Sequence, residues 1–245
     1  MTATDTGVGK TTLLRYLIPW FQRAGTRVTA LKPAETGCFV DRGNLIASDA
    51  ELIARTLSIT SDQVVTYRFA SPVAPAVASL HEAQPIELSL IQSRIEELRR
   101  HNDLVFVEGA GGLLVPITFE YSYADLARDC AMPVLVVVGS RLGALNQALL
   151  TFEVLRARGL HCLGYVLNDL FQESTPTGGA TVPSVDAIQT NREALTMLAS
   201  RYEIEEIGYL PRLCALASDS IDLGECTPEM EKLGTEIKNR LSLAT

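Results

Sequence analysis

Two stretches, Leu104-Val105-Phe106-Val107 and Val134-Leu135-Val136-Val137-Val138, are continuous apolar runs with no polar alternation. A strand wetted on one face alternates. Runs like these are buried on both faces, which requires a mainly parallel sheet covered by helices. Further strands are expected at residues 27–32 and 162–167, with a weaker one at 207–210. Amphipathic segments expected to be helical fill the intervals at 10–23, 48–57, 86–100, 121–130, 142–158, 185–201 and 228–241. Pro19 falls inside the first helix and is expected to kink or shorten it. The repetition of strand and helix predicts an α/β fold, a doubly wound parallel sheet with right-handed crossovers. No internal repeat or compositional break divides residues 1–245, which read as one domain. The stretch 172–183, rich in Thr, Gly and Pro, reads as an exposed loop.

Composition narrows the class. Of 245 residues, 47% are hydrophobic and 20% charged, as in soluble globular chains. The net charge of −8 argues against a nucleic-acid-binding surface. No window approaches the ~18 uninterrupted apolar residues of a membrane span. The first five residues carry neither a basic nor an apolar signal region. Five widely spaced cysteines without a C-x-x-C pair read as reduced thiols of a cytoplasmic protein.

The segment Thr4-Asp5-Thr6-Gly7-Val8-Gly9-Lys10-Thr11-Thr12 has the parts of a phosphate loop. Gly7 and Gly9 let backbone N–H groups turn on phosphate oxygens, Lys10 reaches the β/γ-phosphates, and the Thr11 hydroxyl can hold Mg²⁺. A helix starting at Lys10 would aim its N-terminus at the same anion. The first glycine of G-x-x-x-x-G-K-[ST] is Thr4 here, so the motif is a variant. Such loops follow a buried central strand, yet three residues precede Thr4. Either the chain begins further upstream, or the first strand is missing or truncated and the sheet correspondingly weakened.

A metal carboxylate is expected at the C-terminal end of a strand. Glu108 fits: it closes an apolar run, and Gly109, Ala110, Gly111 and Gly112 then let backbone approach a ligand. Asp49, opening a helix, reads on its own as an acid complementing the dipole more readily than as a metal ligand. Lys32, before Pro33, reads equally as a solvated strand end or as a group stabilising phosphoryl transfer.

Taken together, the phosphate loop, Lys32-Pro33-Ala34-Glu35-Thr36-Gly37, Ser48-Asp49-Ala50, Glu108–Gly112, Val138-Gly139-Ser140-Arg141-Leu142-Gly143-Ala144-Leu145-Asn146 and Asn168-Asp169 resemble the dethiobiotin synthetase family. The resemblance runs in register from residue 3 to about 170, and more loosely through Gly208-Tyr209-Leu210-Pro211. It implies a ligase of biotin synthesis, in which 7,8-diaminononanoate takes up CO₂ as a carbamate, ATP phosphorylates the carbamate, and the second amine closes the ureido ring.

Roles follow from the resemblance by position. It implies that Gly7, Val8, Gly9, Lys10, Thr11 and Thr12 hold the triphosphate, and that Thr11, Asp49 and Glu108 hold Mg²⁺. Lys32 and Lys10 are the implied catalytic lysines, Lys32 lying between carbamate and γ-phosphate. Gly109, Ala110 and Gly111 complete the ATP site, with Asn168, Asp169, Leu210, Pro211 and Arg212 around the nucleobase. Thr36 is the implied diamine hydroxyl. Gly143, Ala144, Leu145 and Asn146 are implied to meet the substrate carboxylate across a homodimer interface, with no nucleic acid or membrane as partner. Departures are Ala3 for a usual Gly, Gly7 where Glu is common, Ala76 where His is frequent, a longer 172–183 loop and the short first strand.

Two other readings compete. Partition-type ATPases share the Gly7–Thr11 loop and act as dimerisation switches, but carry a signature lysine where this chain has Asp5. A nucleotide-binding remnant without turnover is the other. His81, His101 and His161 have no ligand spacing, Cys38 has no nearby base, and Trp20 reads as core or interface. The run Glu203-Ile204-Glu205-Glu206 reads as a solvated face.

Overall fold

The computed structural model describes residues 1–169, 185–210 and 228–243. In chain order these form β1 (Thr2–Ala3), α1 (Lys10–Arg23), β2 (Val28–Thr36), β3 (Phe39–Asp41), β4 (Asn44–Ile46), α2 (Ser48–Leu57), α3 (Ser61–Val64), β5 (Val65–Phe69), α4 (Pro75–His81) and α5 (Leu88–His101). There follow β6 (Leu104–Val107), β7 (Pro116–Thr118), β8 (Tyr121–Ser122), α6 (Tyr123–Asp129), β9 (Val134–Ser140), α7 (Ala144–Ala157), β10 (Cys162–Asp169), α8 (Val185–Ala199), β11 (Glu206–Leu210) and α9 (Pro228–Leu243).

The larger strands pair in parallel, in the orders β1-β9-β10-β11 and β5-β2-β6. The α/β expectation therefore holds, and β1 is two residues long, pairing Thr2 with Val136 and Ala3 with Val137. Met1 crosses to the other sheet, its amino group donating to the Val107 carbonyl at 2.6 Å and its carbonyl accepting from Gly109 N–H at 3.0 Å. Between β6 and β9 lies a cavity of about 610 Å³, lined in part by Val105, Val107, Leu113, Leu126, Val134 and Leu135.

Helices cover the sheets because their apolar stripes need burial. On one side Leu13, Leu14, Leu17, Ile18 and Phe21 of α1 pack with Ile53 of α2 and Ile237 of α9. Elsewhere Phe152 and Leu155 of α7 pack against Tyr165 of β10 and Leu195 of α8. Trp20 is core: its ring lies over Gly234, and Nε1 donates to Glu231 Oε2 at 2.7 Å. Among the described residues no helix is long and apolar enough to cross a membrane.

Several expectations need correction. Pro19 does not shorten α1, which runs unbroken over Lys10–Arg23 because its buried face holds it against the sheet. The sixth helix begins at Tyr123, after strand β8, where Ser122 and Asp125 form a capping box. The seventh begins at Ala144, because Gly143 at φ 91° lies outside helical space. The second strand continues past Pro33 to Thr36: β6 has ended at Leu31↔Val107, so the proline sits where β2 is paired on one side only. Glu206 is no solvated acid. Its carboxylate, 10% exposed, is held by Arg192 at 2.9 Å from Nε.

Candidate functional site

The C-terminal ends of β2 and β6, the start of α2 and the loop between β1 and α1 converge on a cavity of about 540 Å³. Convergence at this edge is what an open parallel sheet provides, since the loops there splay apart. Gly7 (φ 71°) and Gly9 (φ 95°) give the loop its left-handed backbone. The approach at Gly9 is tight, because a Cβ there would stand 2.2 Å from Asn168 Nδ2.

Lys10 opens α1 and is buried. Glu108, at the end of β6, is fully buried. Its Oε1 accepts from Thr11 Oγ1 at 2.8 Å and from Lys32 Nζ at 3.0 Å. Lys32, 3% exposed, also donates to Asp49 at the head of α2. Burial alone would depress the Lys32 ammonium, but Glu108, Asp49 and Glu35 outweigh it, and its pKa is raised. Burial dominates at Lys10 and lowers its pKa despite Glu108. For Asp49 burial pushes upward, Lys32 wins, and the carboxyl is lowered. The shifts at Lys32 and Asp49 thus favour their charged forms, while burial works against the charge on Lys10 in the same cavity.

The residues fit a divalent cation. Glu108 Oε2 is buried without a hydrogen-bond partner among the described residues, and Thr11 and Asp49 stand beside it. Two carboxylates and a hydroxyl fall short of a protein cage. They suit Mg²⁺, which keeps waters and takes phosphate oxygens.

Gly7, Gly9, Lys10, Thr11, Thr12, Lys32, Thr36, Asp49, Glu108, Gly109, Ala110 and Gly111 all line this cavity. Val8 is buried behind it, with its carbonyl accepting from Asn168 Nδ2 at 2.9 Å. Asp169 accepts from Tyr209 OH at 3.1 Å, and Leu210 is core at the end of β11. Pro211 and Arg212 lie outside the described residues, as does the 172–183 stretch. Gly143, Ala144, Leu145 and Asn146 do not line the cavity. They lie next to it, because Asp5 of the phosphate loop accepts from Arg141 and from Gln147 Nε2 at 3.1 Å. Ala76 is buried in α4, and the preceding turn, Pro72 to Pro75, forms one wall.

Sequence reasoning gave no role to Glu35. It is buried in the same cavity and accepts the N–H groups of Asp49 and Ala50 at 2.9 Å each. No local pattern marks it, since Lys32 and Thr36 on the same strand end are polar too.

Comparison with known proteins bears directly on this site. A family profile described as an AAA domain matches residues 1–220. The ATP-dependent dethiobiotin synthetase BioD of Anaeromyxobacter sp. strain Fw109-5 is 39% identical over 206 residues, covering 84% of this chain and 91% of that protein. The chain belongs to the dethiobiotin synthetase family. A second synthetase, BioD of Aquifex aeolicus, is 33% identical over 81% of this chain and 94% of its own length. Membership makes the chain a ligase with an ATP-binding phosphate loop. The MinC:MinD cell division complex of Aquifex aeolicus superposes with a TM-score of 0.57, covering 98% of this chain and 93% of that one. At 17% identity that likeness shows the P-loop architecture alone.

Proposed function

We propose that residues 1–245 form one catalytic domain that carboxylates 7,8-diaminononanoate with CO₂ and closes the ureido ring at the expense of ATP. The observation that carries this reading is the pair of buried lysines, Lys10 and Lys32, sharing one cavity with Glu108 and Thr11. A carbamate and a γ-phosphate are both anions, and their repulsion must be offset before in-line attack. Lys10 and the loop amides at residues 7–12 hold the triphosphate. Lys32 takes the carbamate side, where its fixed positive charge stabilises charge building in the transition state. Thr36 meets the diamine or its carbamate. Thr11, Asp49 and Glu108 would hold Mg²⁺, which would supply charge neutralisation for the phosphates.

A carbamate oxygen attacks the γ-phosphorus and ADP leaves. The second amine then attacks the carbonyl carbon of the mixed anhydride, closing the ring and releasing inorganic phosphate. Asn168 and Asp169, with Leu210, Pro211 and Arg212, bound the nucleobase side, and Gly109, Ala110 and Gly111 the phosphate side. In a homodimer Gly143, Ala144, Leu145 and Asn146 would meet the distal carboxylate, and Leu142 beside them, 98% exposed, supports a contact surface there. Free thiols at Cys38, Cys130 and Cys162 support a reducing compartment, the cytoplasm.

The test incubates the protein with the diamine, bicarbonate, ATP and Mg²⁺, following phosphate release and the mass of the cyclised product. The expected result is phosphate release that depends on the diamine and matches product. Release equally fast without it would overturn the reading and favour a dimerisation switch. Nucleotide binding with no release under any condition would leave the remnant reading.

A further inference from the structure

Glu35 is a buried carboxylate without a task in the chemistry above. It stands near the end of β2, three residues after Lys32, in a register fixed by pairing with Arg68 of β5. Each of its oxygens accepts one backbone N–H from the first turn of α2, Asp49 through Oε1 and Ala50 through Oε2. A helix start leaves such amides unpaired unless a side chain caps them. The residue in the capping position is Ala47, extended at φ −88° and ψ 97°, and its methyl group accepts nothing. The cap comes instead from the neighbouring strand.

One of the two amides it holds belongs to Asp49, whose carboxylate faces Lys32 across the cavity. The clamp therefore joins the strand carrying Lys32 to the residue that Lys32 pairs with. We propose that Glu35 is a positioning residue. It locks the first turn of α2 onto β2 so that the Asp49 carboxylate stands with Thr11 and Glu108 at the metal position. This inference rests on the Mg²⁺ reading above. It requires two acceptors on one side chain, which a carboxylate has. Glutamine has one, and its NH₂ would oppose an amide N–H.

The test uses the full chain with Mn²⁺ as a spectroscopic stand-in for Mg²⁺ and β,γ-methylene-ATP as nucleotide, free Mn²⁺ being read by electron paramagnetic resonance. Glu35→Ala is expected to raise the Mn²⁺ dissociation constant about tenfold or more, the scale for losing a group that orients a metal ligand. Glu35→Gln is expected to raise it less. Nucleotide affinity measured in EDTA is expected to stay unchanged in both. Glu35→Ala/Ala47→Ser is expected to recover part of the Mn²⁺ affinity, since a serine hydroxyl in the capping position can accept from one of the same two amides. A natively folded Glu35→Ala protein that binds Mn²⁺ as tightly as wild type would overturn the proposal. Should Glu35→Ala not fold, an unchanged Mn²⁺ constant in Glu35→Gln would overturn it instead. Failure of the wild-type protein itself to bind Mn²⁺ with nucleotide would sink the metal reading, and this inference with it.

Discussion

Replacing Lys32 by methionine separates what the side chain does for the fold from what it does for the reaction. Its ammonium is 3.0 Å from Glu108 Oε1, and both side chains are shielded, at 4% and 0% exposure. Methionine keeps the length and removes the charge, leaving Glu108 with the Thr11 hydroxyl and no cation in contact. Breaking a buried pair from one side costs about 3–5 kcal/mol, because the surviving charge is stranded. For a chain of this size that lowers the thermal midpoint by roughly 6–20 °C. Removing both charges is a different perturbation: Lys32→Met/Glu108→Gln strands no fully buried ion, since the remaining partner Asp49 is 42% exposed and reaches water, and most of the lost stability is expected to return. Turnover is not expected to return with it. Loss of one preorganised charge-stabilising group costs ~10²-fold or more in kcat, and the double variant keeps that loss. Denaturant unfolding followed by circular dichroism, without nucleotide, measures the first quantity, and coupled phosphate release the second. A Lys32→Met protein within about 1 kcal/mol of wild type would refute the stranded-charge reasoning. So would a double variant no more stable than the single one.

Three further outcomes are expected. Gly9→Ala places a methyl group against Asn168 in a φ 95° backbone, adding ~1–2 kcal/mol of strain and disrupting the hydrogen bond that Asn168 Nδ2 donates to the Val8 carbonyl. ATP affinity by calorimetry should fall at least about tenfold, and unchanged affinity would mean the loop and β10 are not in contact. Gly234→Ala pushes a Cβ to 2.2 Å from Trp20 Cδ2, an overpacking worth ~1–3 kcal/mol. Because Trp20 is the single tryptophan, the emission maximum should shift along with the unfolding midpoint. Burial raises the Cys162 thiol to about 11 from 9.0. The unfolded chain therefore loses this proton first as pH climbs: stability is intact below about pH 9 and declines toward pH 11. Cys162→Ser should flatten that decline, and a slope identical to wild type would discount the thiol as its source.

The site was legible where chemistry is written in consecutive residues. Gly7 to Thr12, Glu108 with the glycines after it, and Lys32 before Pro33 each carry a local pattern, and the fold brings all three to one cavity. Asp49 was ambiguous for a physical reason: an acid in a helix's first turn looks the same whether it serves the dipole or a cation. Only the contact with Lys32 distinguishes it. Glu35 could not be read at all, because its partners lie 14 and 15 residues away and depend on how α2 docks on β2. The long buried strands β6 and β9 announced themselves as unbroken apolar runs. Strand β5 carries a fainter signal: Val65, Tyr67 and Phe69 alternate with polar residues, the period of a half-buried strand, but over five positions only. Glu206, at the start of β11, reads as part of an acidic surface run because Arg192, which holds it, comes from helix α8.

The amide of Asn168 has a divided allegiance. One of its hydrogens is committed to the carbonyl of Val8, inside the loop that receives the anion. What it can still offer an aromatic heterocycle is one hydrogen and one oxygen. If Asn168 meets the nucleobase as proposed above, choice of purine and grip on the polyphosphate would share a single hinge pin, and a substitution at this position would cost twice.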